Sequence, residues 1–107
     1  MNNAIRTNAV LILVASLACA AGFAQSSGEA VYKAKCMNCH GPDGLANSGV
    51  GKVMKVKPVT DADVRKQSLA EMIEQTRNGV GKMQGYKNDL TSDQIKASVI
   101  YFRSFLK

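Results

Sequence analysis

The stretch KAKCMNCHGPDG, residues 33–44, decides how the rest of the sequence is read. It sets Cys36 and Cys39 three positions apart and places His40, the only histidine in 107 residues, directly after the second cysteine. Three chemistries use such a stretch: a redox dithiol, part of a zinc site, or a covalent haem anchor.

Working outward, the N-terminal end reads as an address and not as part of a fold. Met1 to Asn8 is polar with Arg6 as its only charge, and Ala9 to Ala21 is apolar except for Ser16. Gly22-Phe23-Ala24 then offers small residues where a signal peptidase reads, so residues 1–24 are expected to be a signal peptide cleaved after Ala24. The apolar run is shorter than the roughly 20 residues a retained membrane span needs. Lipid attachment at Cys19 is the minor alternative, since Ser16 stands where a large aliphatic is expected. Export to the periplasm follows, with residues 25–107 as one domain.

That domain is small. Residues 25–107 contain 24 Val, Ile, Leu, Met, Phe and Tyr side chains and no tryptophan. A core this thin usually leans on a disulfide, a metal or a cofactor. With Cys19 removed, only Cys36 and Cys39 remain. A bridge between such close neighbours would constrain the unfolded chain little, so the pair serves chemistry and not stapling.

A dithiol active site wants the pair at the start of a helix that follows a strand. Upstream lies SGEAVYKAK, which has no strand alternation. Structural zinc wants four protein ligands, and two cysteines with one histidine would need a carboxylate to complete them. The haem anchor uses all three residues: two thiols for two porphyrin vinyl groups and the histidine for the iron. Export supplies the compartment in which that attachment is made, and the haem reading is preferred.

From these residues the chain resembles the small bacterial class I c-type cytochromes over essentially all of residues 25–107. In that family a glycine, an aromatic and the first haem cysteine are spaced by fours, as are Gly28, Tyr32 and Cys36 here. Cys36, Cys39 and His40 follow, then the GPDG turn. Near the end the family has a methionine in a glycine-rich loop and an aromatic on the last helix, matched by Met83 and Tyr101. The resemblance implies an all-α fold of about three to five helices around one haem c. It also implies thioether links from Cys36 and Cys39, with His40 as proximal and Met83 as distal iron ligand. Two positions depart from the pattern. Gln84 stands where proline often follows the methionine, which implies a less rigid loop. Ser98 stands where a large aliphatic is usual, which implies a weaker contact between the terminal helices.

The residues support the same architecture. Val31, Tyr32 and Lys35 have helical spacing over 28–36, with Glu29 in the first turn. Residues 41–58 hold four glycines and both prolines and read as loop. Ser68 to Glu71 and Thr91 to Gln94 read as capping boxes. The first opens a helix that buries Leu69, Met72 and Ile73 and stops at Asn78-Gly79. The second opens a helix with Ile95, Val99, Phe102 and Leu106 on one stripe.

Four methionines remain as candidates for the other side of the iron. Met37 lies between the anchoring cysteines and cannot reach it, and Met72 fits a core stripe. Met54 and Met83 each follow Val-Gly-Lys, in VGKVM and VGKM. Gly81 and Gly85 flank Met83 and would let backbone run close to a flat ring, which favours Met83.

Residues 25–107 carry 13 Lys and Arg against 8 Asp and Glu, a balance of +5. Lys52, Lys55 and Lys57 cluster, and Lys33, Lys35, Lys82 and Lys87 lie near the candidate site in sequence. This is either a solvated face or a rim that steers toward acidic redox partners. Nucleic acid is a poor partner, because aromatic and basic residues do not interleave. The expectation is a monomeric periplasmic electron carrier and not an enzyme, meeting membranes only through a partner complex. The alternatives are a haem enzyme or gas sensor with an open sixth position, or an accessory subunit of a larger oxidoreductase.

Overall fold

The computed structural model describes residues 27–107; the expected signal peptide and Cys19 lie outside the described residues. Six helices are present among them: α1 Gly28–Lys35, α2 Met37–His40, α3 Gly49–Val53, α4 Ala62–Arg65, α5 Leu69–Asn78 and α6 Ser92–Arg103. A 3₁₀ turn, Ser104–Leu106, extends α6. The one β-type pairing among the described residues is an isolated bridge, Val80 to Met83. The all-α expectation holds, with six helices in place of three to five. Two of the additional turns, α3 and α4, are single-turn helices. Residues 41–58 are therefore not loop throughout, because Ser48 caps Gly49–Val53 by accepting from Gly51 N.

Both capping boxes are formed. Ser68 Oγ accepts from Glu71 N at 3.1 Å while Ser68 N donates to the Glu71 carboxylate at 2.7 Å. Thr91 and Gln94 make the same reciprocal pair at 3.2 and 2.9 Å. Each cap is worth about 1 kcal/mol, which matters for helices this short.

α6 is the spine. Its Ile95 and Val99 are buried with Met72 of α5, and Leu69, Ile73, Leu90 and Phe102 pack around them. On its other side, α6 crosses α1 so closely that a Cβ on Gly28 would lie 2.2 Å from Ala97 O. The terminal helices therefore meet backbone to backbone at Gly28. Tyr32 then seals the crossing, with ring centroids 5.3 Å from Tyr101 and 5.5 Å from Phe105. Ser98 is buried, donates to Ile95 O at 2.8 Å and lines the main cavity. The weak contact expected at Ser98 is replaced by this glycine crossing and aromatic cluster. Gly28→Ala is expected to force the helices apart and cost about 1–3 kcal/mol, read as a lowered thermal midpoint.

Candidate haem-binding site

Cys36, Cys39 and His40 stand at i, i+3 and i+4 about the single turn of α2, a spacing that puts three side chains on one face. The turn is closed by His40 N donating to Cys36 O at 2.9 Å. All three residues line one cavity of about 630 Å³, inside the roughly 300–1,000 Å³ range of cofactor pockets. Both cysteines are free. Burial, then the charge of Cys39, pushes the Cys36 thiol up to about 11. Redox dithiols need the opposite shift, toward the thiolate, so the geometry disfavours that alternative. No group of three or more His, Cys, Asp and Glu among the described residues is arranged to hold a metal ion, so zinc lacks its ligand set.

His40 is held from two sides. Phe102 meets its ring edge-on at 5.1 Å. Behind it, the Tyr32 hydroxyl donates to Gly41 O at 2.5 Å, fixing the chain directly after the histidine. Burial pushes the Tyr32 pKa well above its usual value, so the phenol stays a donor. Burial likewise pushes the His40 pKa down, leaving a neutral imidazole at neutral pH. Its Nδ1 is buried with no hydrogen-bond partner among the described residues. A neutral imidazole beside two free thiols and several thioether sulfurs is the donor set that haem c requires.

Met54, Met72 and Met83 all line the cavity, whereas Met37 does not. Met72 is buried in the core, as read, and Arg103 Nη1 lies 3.6 Å from its sulfur. Met54 ends α3 and is 36% exposed. Met83 sits on a tight turn in which Met83 N donates to Val80 O at 2.9 Å and Val80 N to Met83 O at 3.0 Å.

The glycines about Met83 shape its loop, and Gly81 also lines the cavity. Gly81 has a φ of +56° and open space where a Cβ would stand, so it serves the turn. A Cβ on Gly85 would meet Arg77 O at 2.7 Å, and one on Gly79 would meet Met83 O at 2.8 Å. Gly79 and Gly85 thus let the two legs of the loop touch each other and the end of α5. Backbone contacts fasten the loop where Gln84 stands in place of a proline.

Tyr86 completes the fastening, and sequence reasoning missed it. Its backbone N donates to Thr76 O at 2.9 Å, and its hydroxyl donates to Lys35 O at 3.0 Å. The Met83 loop is thereby tied to the residue before Cys36, 51 positions away. The only signal was an aromatic three residues after Met83. Tyr86→Phe should cost about 0.5–1.5 kcal/mol of stability, seen as a lower denaturant midpoint with an unchanged slope.

The family profile described as "Cytochrome C oxidase, cbb3-type, subunit III" matches residues 23–102. The chain belongs to this family of c-type cytochromes. The cytochrome is 30% identical over 76 residues to a cytochrome c6 of Leptolyngbya boryana, covering 71% of this chain and 86% of the relative. It is also similar to the KustC0563 c-type cytochrome, with a TM-score of 0.67 and 32% identity over 74% of this chain and 96% of that one. A mutant of that protein gives a TM-score of 0.66 at 31% identity. The cytochrome is thus a small class I, all-α, electron-carrying protein with covalently bound haem c.

Proposed function

We propose that the cytochrome is a periplasmic carrier of single electrons between redox proteins, working as a monomer. The observation that supports this is the convergence of Cys36, Cys39, His40 and Met83 on one cavity. In this reading Cys36 and Cys39 tether the haem through thioethers, His40 supplies the proximal nitrogen and Met83 the distal sulfur. When bound, the haem supplies a one-electron ferrous–ferric couple. The chain's part is to hold both ligands rigidly, keep water from the ring and present one edge to partners. With His40 and Met83 both taken up by the iron and no second histidine in the sequence, the site would favour transfer over catalysis. Export through residues 1–24 is part of the proposal; a mature mass beginning at Gln25 tests it. No helix among the described residues is long and apolar enough to cross a membrane. The family's description also gives weight to a second reading, in which the domain serves as a subunit of an oxidase.

The deciding experiment is the optical spectrum of the purified protein with and without carbon monoxide. Expected are thioether-linked haem, a sulfur-to-iron band in the ferric state and no response of the ferrous state to carbon monoxide. A prompt response would move the enzyme-or-sensor reading ahead.

Partners are expected to carry acidic faces. Lys35, Lys55, Lys57 and Lys82 line the cavity, while Lys33 and Lys52 do not. Lys57 pairs with Asp63 at 2.7 Å, a carboxylate that Lys66 also meets at 2.9 Å, and Lys33 pairs with Glu29 at 2.7 Å. That leaves Lys35, Lys55 and Lys82 at the cavity without ion pairs among the described residues. Electron exchange with an acidic partner should slow severalfold as salt shortens the screening length from roughly 30 Å at 0.01 M to about 8 Å at 0.15 M. Salt-independent rates would make these lysines merely solvating.

A further inference from the structure

Two segments far apart in sequence line the cavity: one holds Lys35, Cys36, Cys39 and His40, the other Met83 and Tyr86. Among the described residues a single hydrogen bond joins residues 27–40 to residues 79–90. It runs from the Tyr86 hydroxyl to Lys35 O at 3.0 Å. Both ends suit it. Lys35 is the last residue of α1, so its carbonyl lies past the helix's own ladder and takes a donor from elsewhere. Tyr86 is held from behind. Its N donates to Thr76 O, and its O accepts from Asp89 N and Leu90 N, each at 2.9 Å. Its ring packs against the core of Met72, Ile95 and Val99. With backbone and ring fixed, the hydroxyl alone reaches across to α1. The turn that carries Met83 has fewer holds. Gly79 and Gly85 seat its base, but the backbone of residues 80–84 makes hydrogen bonds only between Val80 and Met83 among the described residues. Val80 is 48% exposed. The next fixed point along the chain is Tyr86.

We propose that Tyr86 is the positioning residue of Met83: its hydroxyl clasps the Met83 turn to the segment carrying Cys36, and so sets how often the sulfur gives way to a small external ligand. The inference rests on the reading of Met83 as the distal ligand. The clasp lies at the surface, where water competes for both of its ends, so it is worth what an ordinary neutral hydrogen bond is worth. That amounts to a roughly fivefold change in the share of protein with the turn lifted. The turn lifts as a local opening, without unfolding of the α5–α6 core. A phenylalanine at position 86 keeps the ring against that core and removes the clasp alone.

The test uses the haem-loaded ferric protein with imidazole as the probe, at concentrations high enough that lifting of the turn limits the rate. In this exchange the Met83 sulfur leaves with its electron pair and an imidazole nitrogen supplies another, so nothing is oxidised or reduced. Tyr86→Phe should raise the limiting rate roughly fivefold, because the clasp must break before the turn can lift. Amide hydrogen exchange at Val80 and Met83 should speed by a similar factor. The control is Ser68→Ala, which removes the cap at the far end of α5 and lowers the denaturant midpoint to a similar extent. It should leave the imidazole rate and those two amides unchanged. Equal acceleration in both variants, or none in Tyr86→Phe, overturns the positioning role and leaves the Met83 reading standing. A parent protein without the sulfur-to-iron band overturns the Met83 reading, and the positioning role with it.

Discussion

Replacing Cys36 and Cys39 together with alanine is expected to leave a chain without haem and without a compact helical fold. The buried apolar residues are few: Val31, Tyr32, Ala46, Val59, Met72, Ile95 and Val99. Much of what else is apolar, including Met83, Val56, Val64 and part of Phe102, forms the wall of the cavity and not a core of its own. A porphyrin bound only in the folded state stabilises that state, and a covalent link makes the gain independent of concentration. Its loss should remove on the order of the whole ~5–15 kcal/mol that holds a domain together. Circular dichroism and limited proteolysis of the double variant are the measurements. A haem-free variant that is helical and protease-resistant would refute the expectation. The helix caps at Ser68 and Thr91 would then hold the fold without its centre.

Met83→Ala should remove the sulfur-to-iron absorption at the red edge of the ferric spectrum and open the ferrous iron to carbon monoxide. The potential should fall by a few tenths of a volt, within the roughly 0.8 V range over which axial ligands set it. Thioether sulfur is soft and neutral and favours the ferrous state, so its loss has that sign. The rivals separate by environment. Met72→Ala should keep the band and cost about 2–5 kcal/mol, because the side chain is buried against Ile95 and Val99. Met54→Ala should keep the band at a smaller cost than Met72→Ala, because the residue is partly exposed. Loss of the band in Met54→Ala with survival in Met83→Ala would reverse the assignment. The ligand would then come from the segment before Pro58.

Much of this architecture was legible from short-range patterns. The two capping boxes mark where α5 and α6 begin, because a cap is made by residues three apart. Asn78-Gly79 marks the end of α5 for the same local reason. The trio Cys36, Cys39 and His40 declares its chemistry through spacing, since one helical turn is enough to bring those side chains together. Met83 was separable from Met54 only through glycine context and resemblance. Gly85 rests against Arg77 and Asn78, a contact that no local pattern announces.

What tertiary structure alone decided is of that second kind. Tyr86 ties the Met83 loop to Lys35 across 51 positions. Gly28 proves to be the crossing point of the terminal helices, and Ser98 a residue of the cavity wall. Asp63, shared with Lys66, and Glu29 pair with Lys57 and Lys33. α3 forms inside a glycine- and proline-rich stretch because Ser48 can cap it and Gly51 can rest on Cys39 O. Sequence by itself determined α1, α5 and α6, the caps of the last two and the trio Cys36, Cys39 and His40, because those depend on residues within a turn of one another. Packing determined which methionines face the cavity and which charges and apolar side chains stay exposed, because those depend on backbones meeting from distant parts of the chain.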